Sequence, residues 1–195
     1  MDRIDACDVP IKIYGTVEDS IVDGDGLRFG VFLQGCPHHC LGCHNPASHD
    51  VSGGVDTTVG ALIDQIESSQ LDHAVTISGG EPFLQGKACY VLARELNRLN
   101  YDLWIYSGYL YEDLASGQPD EWAPLILEQC HVLVDGPFVE RLNSYDLLWK
   151  GSSNQRVIDL EKTRHAQQDV QDGKGVPKPI LWEAEELPFE PPSSW

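Results

Sequence analysis

The sequence predicts an α/β fold built on a parallel sheet, and three observations carry that reading. Short apolar, β-branched runs recur along the chain; segments of helical period separate them; and Gly, Pro and capping residues punctuate the joins. With 195 residues, 42% of them hydrophobic, the chain has enough apolar side chains for one proper core.

Ile11–Val17 reads as the first strand. The segment after it, Val22–Gly30, carries Gly24, Gly26 and Gly30, but the spacing is wrong for a dinucleotide fingerprint and a strand follows rather than a helix. Asp23 and Asp25 likewise lack the later glutamate of a calcium loop. This is a glycine-rich turn feeding the second strand, Leu27–Leu33. Asp56, Thr57 and Thr58 read as the cap of a helix whose Val59, Leu62, Ile63 and Ile66 share one face. His73–Ser78 is the next strand, and Pro82 opens a helix with Ala88, Val91, Leu92, Leu96 and Leu99 on one side. Leu103–Ser107 is a strand followed by helical stretches at Tyr111–Ala115 and Glu121–Gln129. Strands at His131–Asp135 and Gln155–Leu160 complete the pattern. Beyond Leu160 it decays, dividing the chain into an α/β unit over residues 1–160 and an acidic, Pro-rich tail over 161–195. The tail's Ile180, Leu181, Trp182, Leu187 and Phe189 are expected on the surface of the domain.

Charge and composition exclude several functions. Thirteen Lys and Arg against 31 Asp and Glu give a net charge of −18, which makes nucleic acid and anionic membrane poor partners. No apolar run reaches the length of a membrane span, and the acidic start, MDRIDACDVP, is unlike a secretory signal. The expectation is a reducing cytoplasm, where clustered cysteines read as metal ligands before they read as disulfides.

Such a cluster follows the second strand. Cys36, Cys40 and Cys43 stand in the pattern C-x3-C-x2-C. Three thiolates on one short loop can converge on a metal centre, and three ligands leave a coordination position open. A structural zinc site completed by His38, His39, His44 or His49 is the alternative, and three unligated core cysteines are another. The strand after the helix ends in Ser78-Gly79-Gly80-Glu81-Pro82. There the two glycines let backbone approach a ligand closely, and Glu81 offers a carboxylate to an ammonium, unless the turn is only a strand-to-helix bend. Cys89 and Cys130 match no motif and read as small buried hydrophobes; Cys7 matches none either.

The cysteine loop after one strand and GGEP after the next resemble the radical S-adenosylmethionine superfamily. SIVDGDGLRF, FLQGCPHHCLGCHNP, TISGGEP, LWIYSGY, HVLVDGPFV and WKGSSNQRVIDL together resemble its activating proteins of the anaerobic (class III) ribonucleoside-triphosphate reductases. The resemblance implies a partial, open parallel β/α barrel. It implies a [4Fe-4S] cluster on Cys36, Cys40 and Cys43, with S-adenosylmethionine on the free iron. Gly42, Cys43 and His44 would line the cofactor site, and Gly79, Gly80 and Glu81 would meet the methionyl amine; Ser107, Asp135 and Asn154 are further contacts. No catalytic acid or base is implied. The reaction would be generation of a 5′-deoxyadenosyl radical that installs a glycyl radical on the reductase's large subunit. A flavodoxin-like low-potential donor would supply the electron, and a homodimer is compatible. Activation of another glycyl-radical enzyme, such as pyruvate formate-lyase, is the runner-up, and a Cys/His zinc-binding interaction module is the non-enzyme alternative. Two positions depart from the pattern: Asp25 stands where relatives often have Pro, and Pro137 where many have Lys, which removes a cation and weakens the Asp135 assignment.

Overall fold

The computed structural model describes residues 6–69, 73–168 and 178–183. Eight strands form one open mixed sheet: β1 (Pro10–Ser20), β2 (Arg28–Leu33), β3 (Val55–Thr58), β4 (Ala74–Gly79), β5 (Asp102–Tyr106), β6 (Val132–Asp135), β7 (Arg156–Asp159) and β8 (Ile180–Leu181), in the order β3-β1-β2-β4-β5-β6-β7-β8. The centre, β2-β4-β5-β6, is parallel, as strand–helix alternation predicts. Both margins are antiparallel: β1 pairs with β2 and β3, and β7 with β6 and β8. The β1–β2 turn is short, with no crossover helix of the kind a parallel pairing would require, whereas the β6–β7 connection is longer and the one from β7 to β8 passes through a helix.

Five helices accompany the sheet: α1 (Val59–Ser68), α2 (Gly86–Arg98), α3 (Tyr111–Ala115), α4 (Trp122–Gln129) and α5 (Leu160–Gln168). Thr58 caps α1 by accepting from the Ala61 amide at 3.2 Å, while Asp56 and Thr57, expected in the same cap, belong to β3, where Asp56 pairs with Lys12 at 3.0 Å. Pro82 opens a 3-10 turn, Pro82–Gln85, that leads into α2.

The two faces of the sheet differ by the period-two rule. Phe29, Val31 and Leu33 of β2, Val75 and Ile77 of β4, and Leu103 and Ile105 of β5 pack with Leu62, Ile66, Leu92, Leu96 and Ile126 of the helices in the main core. The alternate residues face the other side. There Trp104, Val132 and Val134 form a second, smaller cluster with Tyr106, Trp149, Val157 and Trp182. Arg28, fully buried, anchors this face. It donates to Thr76 Oγ1 (2.8 Å), Val75 O (3.0 Å), Asp25 O (3.0 Å), and Asp102 through both its side chain (2.7 Å) and its carbonyl (2.9 Å). Burial pushes its pKa down, yet Asp102 opposes the shift and the guanidinium stays fully satisfied over the Trp104 ring.

The chain after Leu160 is not simply extended. α5 runs to Gln168, β8 pairs with β7, and the Trp182 amide donates to Val157 O at 2.9 Å. Ile180 and Leu181 lie at the surface as expected, Trp182 is half-buried, and Leu187 and Phe189 fall outside the described residues.

Candidate active site

β2 delivers the cysteine loop from its C-terminal end, and β4, its parallel neighbour, delivers the glycine turn beside it. Backbone contacts weld the two. The Gly80 amide donates to Leu33 O at 2.7 Å and the Glu81 amide to Gly35 O at 2.8 Å. The approach is close enough that a Cβ on Gly80 would fall 2.2 Å from Gly35 O, and one on Gly79, whose φ is +99°, 2.5 Å from Leu33 N. Glycine is therefore imposed by backbone contact at both positions. Gln34 closes the base of the loop, its amide donating to Ala47 O (3.1 Å) and Asp50 O (2.6 Å).

Cys36, Cys40 and Cys43 are free and half-buried. Backbone N–H groups point at two of the sulfurs: Asn45 N lies 3.4 Å from Cys43 Sγ, and those of His38 and His39 address Cys36. Burial pushes the Cys36 thiol up, and these hydrogen bonds oppose the rise. N–H groups aimed at thiolates are the surroundings that an iron–sulfur cluster uses to tune its potential, so the donor set fits such a group. Among the described residues no three His, Cys, Asp or Glu side chains meet where one metal ion would sit. A cubane takes each thiolate at a different iron, so its ligands need no common point. The loop histidines are engaged otherwise. His39 stacks edgewise on His49 at 5.2 Å, and His44 lies 5.0 Å from the Phe138 ring.

Glu81 is fully buried and saturated. Its carboxylate accepts from Phe83 N (3.1 Å), Gly108 N (2.8 Å) and Ser107 Oγ (3.0 Å), and contacts His38 Nε2 at 2.8 Å. A direct contact with an ammonium, expected from the sequence, would have to displace one of these partners. Ser107 thus serves Glu81. Asp135 is buried in an ion pair with Arg156 and accepts from Tyr111 N at 2.7 Å; Asn154 is exposed and donates to Pro137 O at 2.8 Å. Gly42, at φ +73°, sits against Glu140.

A cleft of about 540 Å³ opens beside the loop, on the face of the sheet opposite the main core. Of the sequence-identified residues it brings together Cys43, His44 and Gly79. Cys36, Cys40, Gly42, Gly80, Glu81, Ser107, Asp135 and Asn154 do not line it. Its wall adds residues the motifs did not single out: Tyr106, Phe138, Trp149, Lys150 and Gln155. A signal for some existed, since DGPFV and WKGSSNQ carry four of them. Among the described lining residues Lys150 is the one Lys or Arg, its Nζ donating to Gln155 O at 3.1 Å. Gln155 knits the wall together: Oε1 accepts from Gly151 N (2.9 Å) and Ser152 N (3.1 Å), and Nε2 donates to Gly136 O (2.9 Å). Trp149 has φ +54°, a left-handed conformation that a bulky residue keeps only where its neighbours hold it.

Residues 22–158 match the family described as the 4Fe-4S single cluster domain, and three half-buried cysteines on an α/β sheet fit an iron–sulfur protein. The chain is 33% identical over 150 residues to the anaerobic ribonucleoside-triphosphate reductase-activating protein of Escherichia coli K12, covering 72% of this chain and 93% of that one. Proteins of the same name match in Haemophilus influenzae, 29% identical over 70% of this chain and 90% of the relative, and in Enterobacteria phage T4, 28% identical over 80% and 91%. The chain belongs to the family of anaerobic ribonucleoside-triphosphate reductase-activating proteins.

Proposed function

We propose that this chain is the radical S-adenosylmethionine enzyme that installs a glycyl radical on an anaerobic ribonucleoside-triphosphate reductase. The observation that carries the reading is the junction of β2 and β4, where the three-cysteine loop and the two-glycine turn meet and Cys43 and Gly79 line one cleft. Cys36, Cys40 and Cys43 would hold the [4Fe-4S] cluster, and the shortage of a fourth cysteine on the loop leaves one iron for the methionyl group. Bound together, cluster and S-adenosylmethionine supply one-electron cleavage of a sulfonium C–S bond, giving methionine and a deoxyadenosyl radical able to take hydrogen from a glycine Cα.

The protein's own residues then orient and exclude water. Gly79 admits the nucleotide to the backbone of the turn. His44, Phe138, Tyr106 and Trp149 supply aromatic surface for an adenosyl group. Lys150 offers a cation to the methionyl carboxylate, the role that Pro137 cannot fill. Glu81 acts through the turn, locking it to His38 of the loop and to Ser107 and Gly108 after β5. The open sheet, read as a partial barrel, would admit the glycine loop of the large subunit. A flavodoxin-like donor in the cytoplasm fits the electron requirement.

The test exchanges partners. Cluster-loaded protein, reductant and S-adenosylmethionine are mixed with the reductase or with pyruvate formate-lyase, and the glycyl radical is read by electron paramagnetic resonance. A radical on the reductase alone supports the assignment; a radical on pyruvate formate-lyase alone replaces it with the other activase.

A further inference from the structure

The matched family segment ends at residue 158, yet Trp182, well beyond it, is built into the smaller cluster on the face of the sheet opposite the main core. Three indoles pack mutually edge to face: Trp149–Trp182 at 4.9 Å, Trp104–Trp182 at 5.4 Å and Trp104–Trp149 at 5.4 Å. Trp104 is an interior residue of β5, pinned under Arg28. Trp149 belongs to the loop that lines the cleft and is followed directly by Lys150 and Gly151, which line it too. Trp182 is fixed in turn by β8, by its own amide on Val157 O, and by the Ile180 amide on Thr163 Oγ1 of α5 at 2.9 Å.

The left-handed backbone at Trp149 needs neighbours to hold it. One is the Tyr106 hydroxyl, which donates to Trp149 O at 2.8 Å; the others are the Trp104 and Trp182 rings. We propose that Trp182 is a positioning residue of the cleft: it clamps Trp149 from the side away from the nucleotide, and so fixes the wall formed by Trp149, Lys150 and Gly151. This rests on the cofactor reading above, although the clamp itself does not. A segment outside the matched family region thereby contributes to cofactor affinity without touching the cofactor.

The test uses full-length, cluster-loaded protein carrying Trp182→Ala or Trp182→Phe, the second retaining an aromatic ring. Without nucleotide, hydrogen exchange at the Gly151 and Ser152 amides should accelerate about tenfold or more in W182A and stay near wild type in W182F. Equilibrium dialysis against labelled S-adenosylmethionine should show a Kd raised about tenfold in W182A and within about threefold of wild type in W182F, with iron content unchanged in both. Unchanged exchange at Gly151 and Ser152, or an unchanged Kd, overturns the proposal. So does acceleration spread equally to the amides of α2, which would mark a merely structural role. If W182A does not fold, Trp182→Leu, apolar but without a ring, replaces it under the same criteria. A wild-type protein that binds no S-adenosylmethionine would sink the cofactor reading, while the exchange arm would still judge the clamp.

Discussion

His38 Nε2 lies 2.8 Å from Glu81 Oε2, so the residue between the first two cysteines is tied to the acid of the glycine turn. The contact joins two loops that arise from adjacent parallel strands, and a Cβ on Gly108 would fall 2.4 Å from the same imidazole. Removing the acid should therefore loosen the site as a whole. Glu81→Ala strands the buried Phe83 and Gly108 amides and should cost about 3 kcal/mol of stability, whereas Glu81→Gln, which keeps an acceptor, should cost about half as much. Urea unfolding of the two variants checks the order.

Gly80 gives a sharper steric prediction. A Cβ placed 2.2 Å from Gly35 O meets the backbone of Gly35 alone, and no side chain can swing away to make room. Gly80→Ala should destabilise by about 3 kcal/mol or more and lower cluster incorporation, measured by thermal unfolding and iron content.

The cysteines divide into two sets. Cys89 and Cys130 are fully buried, and burial pushes both thiols up, Cys130 to about 12. At pH 8 the Cys130 thiolate fraction is then on the order of 10⁻⁴. In native apoprotein, iodoacetamide should label Cys36, Cys40, Cys43 and the exposed Cys7 and spare these two until denaturant is added. Cys89→Ala and Cys130→Ala should retain the cluster, whereas alanine at Cys36, Cys40 or Cys43 should lose it.

The same shift makes stability depend on pH in a defined direction. Because the folded chain holds the Cys130 proton more tightly than the unfolded one, whose thiol has a value of 9.0, the contribution is complete below pH 9 and disappears as pH rises toward about 12. Between pH 8 and pH 10 it should fall by about 1 kcal/mol, and Cys130→Val should remove that part of the loss while Cys89, whose thiol burial also raises, keeps its own. Urea midpoints at the two pH values check the sign.

Arg28 tests the other face of the sheet. Arg28→Met leaves the Val75, Asp25 and Asp102 carbonyls and the Thr76 hydroxyl without their donor. A loss of about 3–4 kcal/mol is expected, read by chemical unfolding.

The central strands were legible because they are continuous apolar runs, and α1 and α2 because one face repeats at helical spacing. β3 was not, since Val55–Thr58 is short, polar and three of its four residues read as a cap. β8 is two residues of an acidic stretch, and its place follows only from pairing with β7. The cysteine loop and the glycine turn carried their chemistry in local spacing. The far wall of the cleft did not: Tyr106 and Trp149, the latter followed by Lys150, are 43 positions apart and joined by a hydroxyl–carbonyl bond that no local pattern announces. Glu81, chosen as an ammonium partner for its charge, is instead engaged by four protein groups, which only packing could reveal.

One measurement bears most directly on the three-cysteine centre with its open iron: anaerobic reconstitution followed by incubation with reductant, S-adenosylmethionine and the cognate reductase. The account predicts about four irons per chain, 5′-deoxyadenosine as product, and a glycyl radical on the reductase, all lost together when Cys36, Cys40 or Cys43 is alanine. Full iron loading with neither deoxyadenosine nor radical, or undiminished radical formation in those variants, would contradict it.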